Sequence, residues 1–307
     1  MAEKLLFIFN PHSGKGMIKA NLADIIDIFT KGGYDVTVHP TQAPLDAYDT
    51  ARERGAEYKV IAVSGGDGTL SETVEGFLEL PSDIRDNIKV GYIPMGSTND
   101  FANSLGIPKN PLEAAQAIVD GEVFKCDIGR FNNRKFNYVA GFGAFTDVSY
   151  ETPQETKNMF GHMAYIIEGI MRIPNLSKYA MKVECDGKKV SGEFALGMVM
   201  NTNSVAGIKG ENLFRADLCD GLFEVMLIKN PSNLIEFQNM LTGMLKGDTE
   251  GKGYLILKAR EIVFETEDDI KWTLDGEYGG NSKNVKISVL PQAVNFIVPS
   301  KNTLTQE

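Results

Sequence analysis

The chain has 307 residues, 43% hydrophobic and 23% charged, which excludes a disordered or fibrous protein and leaves room for two domains of ordinary size. Acidic residues outnumber basic ones by 41 to 31, for a formal charge of −10, which argues against a nucleic-acid partner bound through its phosphates while leaving a local basic patch open. No run of roughly 18 to 20 apolar residues is free of charge, so lipid contact has to be made from the surface.

Taken in chain order, short apolar runs alternate with amphipathic stretches, the pattern of a parallel sheet flanked by helices. Strands are expected at Lys4 to Phe9, Asp35 to His39, Lys59 to Val63, Lys89 to Ile93 and Glu122 to Ile128. The run Leu5 to Phe9 stops at Asn10-Pro11, too short for the core of a signal peptide. Ile18, Leu22, Ile25, Ile26 and Phe29 recur at helical spacing before the stop Gly32-Gly33. Further helices are expected from about Thr69, with Val74, Phe77 and Leu78 on one side, and from Pro111 to Val119, with Leu112, Ala115 and Ile118.

After Gly129 the texture turns to strands: Arg130 to Gly143, Lys178 to Asp186, Lys189 to Asn201, Leu222 to Lys229, Tyr254 to Thr266 and Ile270 to Tyr278. Asp186-Gly187 is a hairpin signal between two of them. The expectation is a second, largely antiparallel β domain with helical insertions near Pro153 to Ile173 and Ser232 to Lys246. The domains are read as 1–129 and 130–291, with 292–307, including the apolar run Ala293 to Val298, returning to the first.

Chemistry concentrates where the third strand runs into Gly65-Gly66-Asp67-Gly68-Thr69 and then a helix. Glycines at a strand's carboxyl end let backbone N–H groups approach a ligand, and a helix N-terminus favours phosphate. Asn10-Pro11-His12-Ser13-Gly14 and Pro94-Met95-Gly96-Ser97-Thr98-Asn99-Asp100 follow two other predicted strands. Any one of these loops reads equally as a turn. It is their convergence beyond the carboxyl ends of a parallel sheet that points to a ligand. The Walker pattern is absent, because Gly-Lys at 14, 187 and 251 is never followed by Ser or Thr. His12, His39 and His162 show no metal-ligand spacing, no GxSxG elbow is present, and Cys126, Cys185 and Cys219 lack CxxC spacing.

In this order, Asn10-Pro11-x-Ser13-Gly14, Gly65-Gly66-Asp67-Gly68-Thr69, Pro94-x-Gly96-Ser97-Thr98-Asn99-Asp100 and Asp275-Gly276-Glu277 resemble the signatures of the diacylglycerol kinase catalytic family, most closely its soluble bacterial members. The resemblance covers nearly the whole chain. It implies an α/β fold, with an N-terminal α/β domain like those of NAD kinases and phosphofructokinases and a C-terminal β-sandwich-like domain. The implied activity is ATP-dependent phosphorylation of diacylglycerol to phosphatidic acid.

The same resemblance implies nucleotide contacts at Asn10, Pro11, His12, Ser13 and Gly14, at Thr41, at Gly66, Asp67, Gly68, Thr69, Leu70, Ser71 and Glu72, and at Ser97, which stands where Thr is usual. Asp67, Asp100 and Asp127 fall at acidic positions suited to hold Mg2+ against the ATP phosphates. Glu277 matches the family's proton acceptor, although Asp275-Gly276-Glu277 followed by Gly279-Gly280 is also a hairpin turn. Asp217, Asp220 and the carbonyl of Leu222 match a structural magnesium site; the family more often has Pro and a second Asp near Phe214 and Cys219.

A soluble kinase for such a lipid must dock on the membrane as a peripheral, cytoplasmic protein. The candidate surface is the apolar stretch Met159 to Ile173 with Arg172, Lys178, Lys182, Lys188 and Lys189, although that stretch reads first as a helix packed on the β domain. A homodimer is implied by the resemblance. Rival readings are a kinase for another lipid alcohol, and a nucleotide- or lipid-sensing protein with little turnover.

Overall fold

The structure is a computed structural model that describes residues 2–96, 99–143, 178–202, 204–205, 208–209, 216–229, 235–236, 239–240, 243 and 248–300. It divides into two compact units, the first comprising Met1–Asp127 and Pro291–Glu307 and the second Ile128–Leu290.

The first unit is built on a parallel sheet of β1 (Glu3–Phe9), β2 (Tyr34–Pro40), β3 (Val60–Gly65) and β4 (Lys89–Pro94). The order is β4-β3-β1-β2, with β2 at the edge. All six residues of β3 are buried, as expected of a strand covered on both faces. α1 (Met17–Lys31) buries Ile18, Ile25 and Phe29, each worth about 1.5–3 kcal/mol. The Phe29 ring meets Phe7 edge-on at 5.5 Å.

The expected helices are present as α3 (Asp67–Phe77) and α6 (Pro111–Asp120), and two short ones, α4 (Ser82–Arg85) and α5 (Asp100–Ser104), lie between them. Asn110 starts α6 by accepting the N–H groups of Leu112 and Glu113, with Pro111 at the first helical position.

α2 (Asp46–Arg54) was not expected from the sequence. Its buried face is only Ala47, Thr50 and Ala51, too polar for a recognisable stripe. Its seat is the backbone of α3: a Cβ added at Gly76 would lie 2.1 Å from the Tyr48 carbonyl oxygen.

β5 (Glu122–Phe131) carries the chain out of the first unit, three residues longer than the expected strand, and β17 (Glu277–Val298) brings it back. Phe296 of β17 pairs in parallel with Val90 of β4 and stacks on Phe101 of α5 at 5.2 Å. The Ala293 to Val298 run thus closes the sheet of the first unit.

Among its described residues the second unit is antiparallel apart from short connections. Its elements are β6 (Arg134–Phe136), β7 (Val139–Gly143), β8 (Tyr179–Cys185), β9 (Lys188–Phe194), β10 (Leu196–Met200), β11 (Ser204–Val205), β12 (Ile208–Lys209), β13 (Phe223–Ile228), β14 (Glu250–Gly251), β15 (Tyr254–Ala259) and β16 (Glu261–Leu274). The main order is β14-β15-β13-β10-β7-β16-β17, with β8 also on β16 and β9 on β8. Trp272, 1% exposed, packs edge-on against Phe131, Phe142 and Phe264 at ring separations of 5.1, 4.9 and 5.1 Å.

Four expected strands divide, Ile270 to Tyr278 among them, at Asp275-Gly276 between β16 and β17. Arg130 to Gly143 breaks into the end of β5, β6 and β7, and Lys189 to Asn201 into β9 and β10. Tyr254 to Thr266 breaks at Arg260, where both carboxylate oxygens of Asp186 accept N–H groups, from Arg260 and Glu261, at 2.8 Å each. Asp186 and Gly187 make the expected β8–β9 hairpin turn, with φ of 46° and 88°. Ile235, Glu236, Asn239, Met240 and Gly243 of the expected Ser232 to Lys246 helix are helical. The expected Pro153 to Ile173 helix lies outside the described residues.

Candidate active site

The loops after β1, β2 and β4 begin alike, each donating a backbone N–H to the last turn of a neighbouring strand. Asn10 donates to Ser64 O at 2.9 Å, Thr41 to Phe9 O at 2.9 Å and Met95 to Gly65 O at 2.7 Å. This stacking sets Asn10, Thr41, Gly65 and Met95 at the same, carboxyl, end of the sheet. The Asn10 side chain organises its own loop, accepting the His12 N–H at 2.9 Å while its Nδ2 points to Thr69 Oγ1 at 3.5 Å. Pro11, Ser13 and Gly14 follow in that loop, with Ser13 donating its N–H to Asn10 O.

Gly66 and Gly96 approach each other closely. A Cβ at Gly96 would stand 3.0 Å from Gly66 Cα and 2.7 Å from Asn99 Oδ1, so no larger residue fits without opening the loops. Asn99, in the left-handed region with φ of 53°, closes the turn by accepting the Gly96 N–H at 2.8 Å and donating back to Gly96 O at 2.9 Å. Sequence reading missed this role of Asn99; its signal was an Asn three residues after a Gly. Ser97 lies outside the described residues.

Asp67 and Asp100 open α3 and α5, one and four residues beyond this glycine contact, and Asp100 is 3% exposed. Gly68 and Thr69 lie half-buried in the first turn of α3, Leu70 is buried in its core, and Ser71 and Glu72 follow on its partly exposed side. Burial, and then the charge of Asp67, push the phenol of Tyr92 well above its ordinary value, which keeps it a neutral donor to Gly65 O at 3.2 Å. Glu72 reaches to the loop after β2, where its carboxylate accepts the Leu45 N–H at 3.0 Å.

Asp127 has a different setting. It is interior to β5, fully buried, and its Oδ1 accepts the Gln292 N–H at 2.6 Å. Gln292 lies four residues before Phe296, whose partner Val90 is near the amino end of β4.

In the second unit, Asp275 and Gly276, with φ of 50° and 86°, form the turn between β16 and β17. Glu277 is the first residue after it and is exposed. The turn and carboxylate readings of this motif are thus compatible. Asp275 is 3% exposed, and its carboxylate accepts the N–H groups of Asn137 at 2.7 Å, Tyr138 at 3.0 Å and Val139 at 3.1 Å.

The acidic turn before β13 is exposed and largely self-bonded. Asp217 Oδ1 accepts the Cys219 N–H at 3.2 Å, and Asp220 Oδ1 accepts the Leu222 N–H at 2.9 Å. Lys258 lies 3.5 Å from Asp220 Oδ2 and 2.9 Å from Glu224 Oε1. Burial raises the Glu224 carboxyl above its ordinary value and Lys258 opposes the shift. Among the described residues no three His, Cys, Asp or Glu side chains gather as a metal-binding group. By donor type, two carboxylates and the Leu222 carbonyl suit magnesium, with water completing the shell.

Comparison with known proteins adds the chemistry's context. Residues 4–131 match the family model described as the diacylglycerol kinase catalytic domain, and residues 139–298 match the YegS C-terminal NAD kinase beta sandwich-like domain. The diacylglycerol kinase of Bacillus subtilis (strain 168) is 38% identical over 282 residues, 91% of each chain. That of Staphylococcus aureus (strain Newman) is 36% identical, over 91% of this chain and 88% of its own. The crystal structure of a diacylglycerol kinase from Bacillus anthracis str. Sterne superposes with a TM-score of 0.79 at 26% identity, covering 97% of this chain and 98% of that one. Ordered motifs, two matched domains and relatives aligned over nearly their full length lead to one conclusion: this chain belongs to the diacylglycerol kinase family.

Proposed function

We propose that the protein transfers the γ-phosphoryl group of ATP to diacylglycerol, forming phosphatidic acid. The observation that carries this reading is the glycine-lined contact of Gly66 with Gly96 at the carboxyl ends of β3 and β4, beside two helix-opening carboxylates, in a chain of this family. Backbone N–H groups in such a cradle suit a polyphosphate, because only glycine lets the backbone approach it.

In this reading Asn10, Pro11, His12, Ser13 and Gly14, Thr41, Gly66 to Glu72 and Ser97 make the nucleotide contacts. Asp67 and Asp100 would hold magnesium and its waters, and magnesium, when bound, supplies positive charge against the phosphates. Asp127, whose Oδ1 accepts the Gln292 N–H at 2.6 Å, is the third acidic position in this reading. Glu277 accepts the proton of the lipid hydroxyl as the new P–O bond forms, a role its exposed carboxylate suits. Asp217, Asp220 and the Leu222 carbonyl would hold a second, structural magnesium.

The lipid substrate implies a peripheral protein working at the cytoplasmic face of a membrane. Among the described residues no helix is long and apolar enough to cross one. Of the expected docking surface, Lys178, Lys182, Lys188 and Lys189 are described, and Lys189 lies 3.5 Å from Glu184. The homodimer implied by the family is read directly by light scattering of the purified chain.

The test is transfer of labelled γ-phosphate from ATP and magnesium to mixed micelles of diacylglycerol, beside other lipid alcohols, sphingosine and NAD. Labelled phosphatidic acid as the dominant product is expected. A different labelled lipid would replace the substrate, and tight ATP binding with no transfer would replace the activity with sensing.

A further inference from the structure

The hairpin that carries Glu277 is fixed from two directions. Asn137 and Tyr138 lie in the gap between β6 and β7, where their N–H groups would face the interior without a ladder partner. The Asp275 carboxylate takes that place: Oδ2 accepts from Asn137, and Oδ1 accepts from both Tyr138 and Val139. The Asp275 N–H in turn donates to Val139 O at 2.8 Å, so side chain and backbone both tie the turn to the start of β7. On the far side of Glu277, Arg134 Nη1 donates to Tyr278 O at 3.0 Å. Gly279 is then bulged out, because Thr273 pairs with Tyr278 and Trp272 with Gly280, and such bulges re-aim the side chains beside them.

We propose that Asp275 is a positioning residue for Glu277, with Arg134 as the second anchor of the same hairpin. The proposal rests on the reading of Glu277 as proton acceptor. Its chemistry suits a carboxylate, because the N–H groups of Asn137, Tyr138 and Val139 are all donors. An asparagine amide, whichever way it is turned, sets its NH2 against at least one of them. The hairpin then shifts, and a reacting group displaced by about 1 Å loses on the order of 100-fold in rate.

A double-mutant cycle on the full chain tests this, with labelled phosphate transfer to diacylglycerol micelles as the assay. Asp275→Asn is expected to lower kcat about 10- to 100-fold while KM for ATP stays within about twofold, since the hairpin lies outside the nucleotide loops. In the Glu277→Gln background, Asp275→Asn is expected to cost nothing more, because the group it positions is already gone. Should Asp275→Asn fail to fold by thermal melting, Arg134→Ala, an exposed change, carries the same cycle with an expected loss of about 3- to 10-fold in kcat. Wild-type kcat in Asp275→Asn, or a loss that multiplies undiminished onto Glu277→Gln, would overturn the positioning role. Wild-type turnover in Glu277→Gln itself would overturn the reading beneath it, and the cycle tells the two failures apart.

Discussion

The two units prepare their chemistry by opposite means. In the first, the proposed nucleotide surface is made by leaving atoms out: Gly66 and Gly96 meet backbone to backbone, and the Asn99 side chain closes the loop on Gly96. In the second, the residue proposed as proton acceptor is placed by putting a charge in, a buried Asp275 that accepts three N–H groups and ties down the turn before Glu277. The first kind of site fails when an atom is added and the second when a charge is removed. Substitutions can therefore be chosen to fail in one unit and not in the other.

Within the first unit the largest effect is expected where it also carries charge. Asp67→Asn should lower kcat by about 100- to 1,000-fold, as loss of an electrostatic partner to the reacting phosphate does, and initial-rate kinetics at saturating ATP will show it. A change confined to KM for ATP would move Asp67 from the chemistry to ground-state binding. Next comes Gly96→Ala, whose methyl must open the contact with Gly66 and Asn99. At about 1–3 kcal/mol of overpacking, KM for ATP should rise roughly 10- to 100-fold, and unchanged ATP affinity would show that the cradle holds no nucleotide.

Gly76→Ala makes the same kind of change away from the site, where α2 rests on α3. The expected cost is about 1–3 kcal/mol of stability, seen in a thermal melt, with the KM for ATP of the folded enzyme kept. The smallest effect is at Asp46. Burial pushes its carboxyl up, but the Gln42 N–H at 2.6 Å and His39 at 2.9 Å more than offset this and hold it below its ordinary value of 3.8. A depressed folded-state value means stability that is present above 3.8 and lost as pH falls through the lower, folded-state value. Asp46→Asn should flatten the acid end of the melting curve, and an identical acid limb in both proteins would remove Asp46 from it.

Much of the first unit could be read from the sequence because a parallel strand buried on both faces leaves a continuous apolar run, as Val60 to Val63 does, and because α1 keeps its stripe from Ile18 to Phe29. α2 could not be read, because it packs through backbone against Gly76 and through two alanines and a threonine. The second unit was legible as antiparallel strands, but its breaks depend on distant partners: the one at Arg260 on Asp186, the one at Asn137 on Asp275. For the same reason the motif Asp275-Gly276-Glu277 showed a turn and a carboxylate without showing that the aspartate binds residues more than a hundred positions earlier. The Gln292 partner of Asp127 was hidden for the same reason, since it comes from β17, 165 positions later.

The proposed division of labour gives nucleotide binding to the first unit and proton acceptance to Glu277 of the second. Glu277→Gln tests it most directly, through single-turnover phosphoryl transfer to diacylglycerol measured beside equilibrium binding of a non-hydrolysable ATP analogue. Transfer slowed by about 100- to 10,000-fold with analogue affinity within about twofold of wild type is the predicted result. Transfer at the wild-type rate, or loss of analogue binding together with turnover, would contradict it.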